Sequence, residues 1–220
     1  MFLLKLSVKE KVTMDKESLQ EFRDLCSMLR LILVSEPGEE LLARLMTIEV
    51  VEPEDDIERG LAMVCEDVQK NSGRFPQYRE ERRVEFARLF LGPQHPAAVP
   101  FASFYLSETK QLMTDITIQV RRYYLDAGMA VTGLHRVPDD HIALELEFMA
   151  YLADESAKSL EKGDVGAASE GGARLESFHR EHLAKWVPFF AERMHESAES
   201  DFYRGVALAL KGVASLDSLG

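Results

Sequence analysis

The chain has 220 residues, 46% of them apolar, and its 26 basic and 38 acidic side chains give a net charge of -12. That apolar share supports a folded core and excludes a disordered chain, while the acidic balance opposes nucleic acid phosphates and anionic lipid surfaces. No uninterrupted apolar run reaches the ~20 residues that a membrane span requires, so no stable membrane insertion is expected.

Residues 1–13 open with the apolar run Met1-Phe2-Leu3-Leu4, which Lys5 interrupts. With no basic segment ahead of it and no small-residue cleavage site behind it, the run does not fit a secretory signal. It reads as a leader or a frayed terminus, with Met14 as the structural start. From Thr13 to Ser35, Leu19, Phe22, Leu25, Leu29 and Ile32 or Leu33 recur every three or four residues, the spacing of an amphipathic helix. Pro37-Gly38 ends it. A second helix is predicted over 39–50. A third follows the acidic start Glu54-Asp55-Asp56, which suits the positive end of a helix dipole. Ile57, Leu61, Val64 and Val68 line its apolar face. The fourth carries Arg79 to Arg83 and then Val84, Phe86, Leu89 and Phe90, and stops at Gly92-Pro93.

The stretch 92–100 holds three prolines and a glycine and reads as a structured loop. A further helix contains Leu112, Ile116, Val120 and Tyr124, with Gly128 as its C-terminal cap. Residues 129–138 form the predicted hinge between an N-terminal lobe, 14–128, and a C-terminal lobe, 138–215. Pro138 is placed in the first turn of a long helix reaching Lys162, where its missing N–H needs no partner. Residues 163–172 are rich in small residues and glycine and read as a flexible connection. Leu175 to Met194 is helical, with Pro188 ending or kinking it, and Phe202 to Val213 forms the last helix. The fold class is therefore all-α, a single bundle-like domain of eight or nine helices over 14–215. No fixed-period repeat is present. Cys26 and Cys65 lie in apolar helical patterns without CxxC spacing and read as core thiols in a reducing compartment.

Two segments could carry function. The first is Pro138-Asp139-Asp140-His141-Ile142. Its carboxylates can accept from the unpaired N–H groups of a helix start, and its imidazole, near the positive dipole end, is held neutral. The plain alternative is an N-cap with an incidental histidine. Three consecutive helical side chains diverge by about 100° each, so Asp139, Asp140 and His141 do not converge on a metal. No metal or cofactor is expected, and no GxSxG, HExxH, P-loop or GxGxxG occurs. The second segment is Pro100-Phe101-Ala102-Ser103-Phe104-Tyr105-Leu106, in which a proline turn delivers three aromatics. These residues fit either core packing or a peptide groove in which Ser103 and Tyr105 supply hydrogen bonds.

Several motifs stand in one order: Leu89-Phe90-Leu91-Gly92, Pro100-x-x-Ser103-x-Tyr105, Tyr124 and Gly128. Pro138-Asp139-Asp140-His141-Ile142-x-x-Glu145-Leu146-x-Phe148-Met149 follows, then His182-Leu183, Trp186 and Pro188. Together they resemble the TorD/DmsD family of redox-enzyme maturation chaperones. The likeness runs from Phe86 to Phe189; the first eighty residues share only helical character. The resemblance implies an all-helical, cytoplasmic, non-enzymatic chaperone. Its partners would be a molybdopterin oxidoreductase catalytic subunit in its apo-form and that subunit's twin-arginine leader. It also implies leader contacts at Pro100, Phe101, Pro138, Asp140 and His141, with a monomer or a lobe-swapped dimer as the oligomeric state. Asp140 is then expected to offer its carboxylate to a leader arginine. Two positions depart from the family pattern: Phe101 stands where several relatives have tryptophan, and Asp139 where many have glutamate. The competing readings are a helical enzyme with Asp140 and His141 as an acid–base pair, and an assembly factor for a non-exported, nitrate reductase-type enzyme.

Overall fold

The structure is a computed structural model that describes residues 15–92, 96–129 and 137–216. The predicted leader, 1–13, and most of the predicted hinge, 129–138, lie outside these residues. The all-α expectation holds: the described residues form ten α-helices and no strand beyond one isolated antiparallel bridge. The helices are α1 (Lys16–Val34), α2 (Glu39–Met46), α3 (Asp56–Lys70), α4 (Phe75–Phe86), α5 (Ala102–Leu106), α6 (Asp115–Asp126), α7 (Ile142–Glu161), α8 (Val165–Phe178), α9 (Ala184–Ser197) and α10 (Asp201–Ala214). Two π-helical turns, Ala87–Leu91 and His179–Leu183, follow α4 and α8 directly.

The chain divides into two compact units, interleaved along the sequence. Among the described residues one holds 31–92, 96–99 and 188–215, the other 15–30, 100–129, 137–187 and 216. The cut does not fall at 129–138. Helices α6 and α7, on either side of the predicted hinge, belong to one unit, because α6 side chains bond to Asp139 and Asp140 just before α7.

In the first unit α3 and α10 pack backbone to backbone. A Cβ on Gly60 would lie 2.4 Å from the Gly205 carbonyl oxygen and 2.5 Å from the Ala209 nitrogen. A Cβ on Gly205 would meet the Gly60 oxygen at 2.5 Å. Glycine's absent side chain is what permits this approach. The Gly60→Ala variant should therefore be destabilised by roughly 1–3 kcal/mol through overpacking, despite alanine's better helix propensity. Chemical denaturation checks this; a variant as stable as the parent would mean that the helices separate freely. Beside this pair, buried Glu85 accepts from the Glu199 and Ser200 amides at 2.7 and 3.0 Å, fastening α4 to the start of α10. Arg82, lying over the Tyr78 ring, faces Asp67 and Glu85 at 3.4 Å each. Both thiols are buried and free, as the apolar pattern predicts. Burial pushes the Cys65 thiol up to about 11 and the Cys26 thiol higher still, so neither forms a reactive thiolate near neutrality.

In the second unit α7 packs against α8. The expected flexible connection over 163–172 is instead mostly helical. Asp164 caps α8 by accepting from the Ala167 amide at 3.0 Å. Ala168 and Gly172 are buried, and a Cβ on Gly171 would stand 2.3 Å from the Ser156 hydroxyl oxygen. The small residues serve close helix packing, not flexibility. Two ion pairs, Arg23–Asp154 at 3.0 Å and Arg30–Glu147 at 3.2 Å, join α1 to α7. Helix α9 continues through Pro188 to Ser197, so the proline does not end it.

Candidate functional site

The two segments singled out in the sequence meet in the second unit. Phe101 and His141 form the isolated antiparallel bridge. Its flanking bonds run from the Ala102 amide to the Asp140 carbonyl at 2.9 Å and from the Ile142 amide to the Pro100 carbonyl at 3.0 Å. Proline lacks an N–H but keeps an acceptor, so Pro100 fits this register. The Phe101 and His141 rings meet edge to face with centroids 5.0 Å apart.

The bridge determines where the helices begin. Helix α7 starts at Ile142 with His141 as its N-cap, four residues later than a start at Pro138. The His141 Nδ1 accepts from the Ala143 amide at 3.1 Å, doing the work expected of an aspartate. In the neutral ring this puts the proton on Nε2, which makes no hydrogen bond among the described residues. Burial lowers the His141 pKa to about 4, with the Asp140 charge opposing, so the ring is neutral at physiological pH.

Asp140 departs from the expectation of an exposed carboxylate. It is fully buried, and both oxygens are taken: Oδ2 accepts from the Ser103 amide and Oδ1 from the Thr117 hydroxyl, each at 2.8 Å. It satisfies a helix start, but that of α5, a one-turn helix within the Pro100–Leu106 segment. Asp139 is buried too. Its carboxylate pairs with the Arg121 guanidinium, and its carbonyl accepts from the Tyr124 hydroxyl at 2.8 Å. Ser103 is buried, its hydroxyl without a hydrogen-bond partner among the described residues. Pro100 is also buried, whereas Phe101, Tyr105, Pro138 and His141 stay partly exposed. The predicted site residues thus separate into an inner scaffold and an outer rim.

This geometry does not make Asp140 and His141 a catalytic couple. A general acid–base pair needs both groups free to reach a substrate proton. Here the carboxylate serves Ser103 and Thr117, and the imidazole nitrogen nearest the backbone serves Ala143. Among the described residues no group of three His, Cys, Asp or Glu side chains could hold a metal ion.

One level further in, one turn along α7, Glu145 is fully buried. Its Oε1 lies 2.7 Å from His182 Nε2, and its Oε2 accepts from Trp186 Nε1 at 2.9 Å. Burial raises the Glu145 pKa, with His182 and Trp186 opposing. The π-turn His179–Leu183 carries His182. Tyr105 stacks on Trp186 with centroids 5.6 Å apart, so the α5 segment rests on this cluster. The motif residues Glu145, His182 and Trp186 lie together because they share one polar network. Sequence reasoning missed Thr117 and Arg121. Thr117 carried a usable signal: it is a polar residue three positions before Val120, on the apolar stripe of α6.

The family described as nitrate reductase delta subunit matches residues 55–192, more than half of the chain. Among curated proteins the chain is similar to Chaperone protein TorD of Vibrio parahaemolyticus, 29% identical over 138 residues. It is also similar to Chaperone protein TorD of Escherichia coli O81, 29% identical over 140 residues, and of Vibrio cholerae, 30% identical over 128 residues. The matched stretch covers 63%, 64% and 58% of this chain and 63%, 63% and 56% of those relatives, under two thirds of their length. The matched region contains the Phe101–His141 bridge, the Asp140 scaffold and the Glu145–His182–Trp186 network, and the chain belongs to the nitrate reductase delta subunit family, with TorD chaperones among its relatives.

Proposed function

We propose that this protein is a cytoplasmic maturation chaperone. It binds the twin-arginine leader and apo-form of a molybdopterin-dependent oxidoreductase, assists insertion of the client's cofactor and delays export. The observation that carries this reading is the rim of Phe101, Tyr105, Pro138 and His141, set on a buried scaffold inside the family-matched region. The rim offers aromatic and apolar contact area, with one imidazole N–H for a peptide carbonyl. Leaders combine a basic start with an apolar middle, and the net charge of -12 favours their approach. Holding a peptide in this way needs no covalent chemistry.

Titration calorimetry with leaders and apo-subunits of co-encoded oxidoreductases tests the reading. Binding is expected, and its absence for every leader and every apo-subunit would refute it. The family description favours one second reading, assembly of a nitrate reductase-type enzyme that is not exported. Equal affinity for an apo-subunit with and without its leader would select that reading. Phe101→Ala is expected to weaken leader binding by roughly 1–3 kcal/mol with little change in thermal stability. A loss of roughly 3–5 kcal/mol of stability would instead mark Phe101 as core.

A further inference from the structure

At the Arg121–Asp139 ion pair the buried scaffold opens to solvent. The Asp139 side chain is 3% exposed, whereas that of Arg121 is 41% exposed. Exposed Val137 and half-buried Pro138 precede Asp139, and half-buried His141 follows two residues later, so the pair borders the rim. A carboxylate withdrawn from water needs a cation or several N–H donors around it. Asp139 has little of either. Its Oδ2 accepts from Arg121 Nε, and among the described residues its side chain makes no other hydrogen bond. The Tyr124 hydroxyl holds the Asp139 carbonyl at 2.8 Å, so the backbone is fixed while Oδ1 stays unclaimed. Arg121 is underused in the same way. Its guanidinium engages Asp139 through Nε alone, without the two parallel N–H···O bonds that make arginine–carboxylate pairs strong.

An arginine arriving from the solvent side can form that two-bond fork, and Arg121, partly in water, has room to swing away. We infer that Asp139 is a guanidinium-binding site which Arg121 occupies in the free protein, and that an arginine side chain of a bound peptide takes its place. The inference rests on the peptide-binding reading of the rim and gives Arg121 the part of an internal competitor there. Lysine is a poor substitute in the ligand, because its ammonium is strongly hydrated and cannot form the fork. Since Arg121 must leave first, it lowers the apparent affinity for arginine-bearing peptides by the fraction of molecules in which Asp139 is free. An occupancy of about 90% lowers it about tenfold. A peptide that cannot replace Arg121 leaves the pair closed, so the competitor also discriminates between ligands.

Arg121→Ala tests this in two ways. The first needs no peptide. The variant leaves a buried carboxylate without its cation, so its melting temperature should fall below that of the parent. About 10 mM ethylguanidinium should raise it again, by binding the folded form, while the parent and an equal concentration of ethylammonium show no such rise. The second is titration calorimetry with a leader and with the same leader carrying lysine for each arginine. The variant should bind the arginine leader at least about tenfold more tightly than the parent does, and the lysine leader less than about threefold more tightly. Arg121→Gln, whose amide still donates to Asp139, carries the binding comparison where the alanine variant does not fold. A melting temperature that ethylguanidinium does not raise overturns the inference. So does equal tightening for the two leaders, which would reflect net charge alone. If leaders bind parent and variant with equal affinity, this inference falls and the chaperone reading stands; if they bind neither, both fall.

Discussion

Replacing Asp140 with alanine is expected to destabilise the fold by about 3 kcal/mol, a large part of a typical domain's stability. The carboxylate accepts from the Ser103 amide and the Thr117 hydroxyl, both buried. Hydrogen bonds to a charged acceptor contribute about 1.5–3 kcal/mol each, and truncation leaves both donors unsatisfied. Relief of a buried charge offsets part of the loss. Asp140→Asn distinguishes charge from shape. The amide oxygen can keep the Ser103 bond while the amide N–H donates to the Thr117 oxygen, so about 1 kcal/mol is the expected loss. Thr117→Val removes one arm alone, and its effect should be far from additive with Asp140→Ala because the two share a bond. Urea denaturation of the parent, the three single variants and the Asp140→Ala/Thr117→Val double variant measures all of this. Equal stability of Asp140→Ala and the parent would mean that the loop is held by the bridge alone.

The same variants separate scaffold from rim in binding. A carboxylate closed to solvent and bonded to Ser103 and Thr117 cannot pair with a leader arginine, and it is one charge in a net of -12, so Asp140→Asn should change the salt dependence of leader binding little. That expectation reverses the one drawn from the sequence, where Asp140 was read as the partner of a leader arginine. The sequence pattern puts Asp140 at the start of a helix, and the structure turns its carboxylate inward to Ser103 and Thr117. A spacing pattern places a side chain on a segment, but it cannot say which distant backbone amide the side chain meets. Ser103 lies 37 residues away, and that contact depends on tertiary pairing.

Similar reasoning explains which parts of the fold were legible. Helices with a clear apolar period, such as α1, α3 and α10, follow the sequence pattern closely, because burial of one face decides both the period and the packing. Helix α8 did not, since local composition favours flexibility there. Gly171 sits where α7 approaches too closely for a larger side chain, its would-be Cβ 2.3 Å from the Ser156 hydroxyl oxygen, a reason visible only in three dimensions. The start of α7 was displaced for a like reason. The residues 138–141 look like a helix start by charge and proline, yet the bridge to Phe101 holds His141 extended and delays the first turn. The division into units was hidden most completely, because both units are assembled from segments far apart in the chain.

His141 makes stability depend on pH in a window that follows from its environment. Its folded pKa is lowered to about 4 by burial, from an ordinary value of 6.5. For a base with a depressed folded pKa, the unfolded chain takes up the proton first as pH falls. The stabilising contribution is therefore complete above about pH 6.5 and is lost as pH drops from there towards 4. A shift of that size corresponds to about 3 kcal/mol at most, at about 1.4 kcal/mol per unit. His141→Asn isolates it. Asparagine can accept from the Ala143 amide as a good N-cap but does not ionise, so the capping bond survives while the titration disappears. The variant should lose the ring contact with Phe101 and be less stable than the parent at pH 7.5. Below pH 6.5 the gap between the two should narrow steadily, because only the parent carries the proton-linked loss. Carboxylates elsewhere titrate alike in both proteins and cancel in the comparison. A gap that stays constant from pH 7.5 to 4.5 would mean that His141 is solvated well enough to titrate normally. The imidazole would then be charged in mildly acidic solution, where the proposed peptide contact through a neutral N–H would not apply.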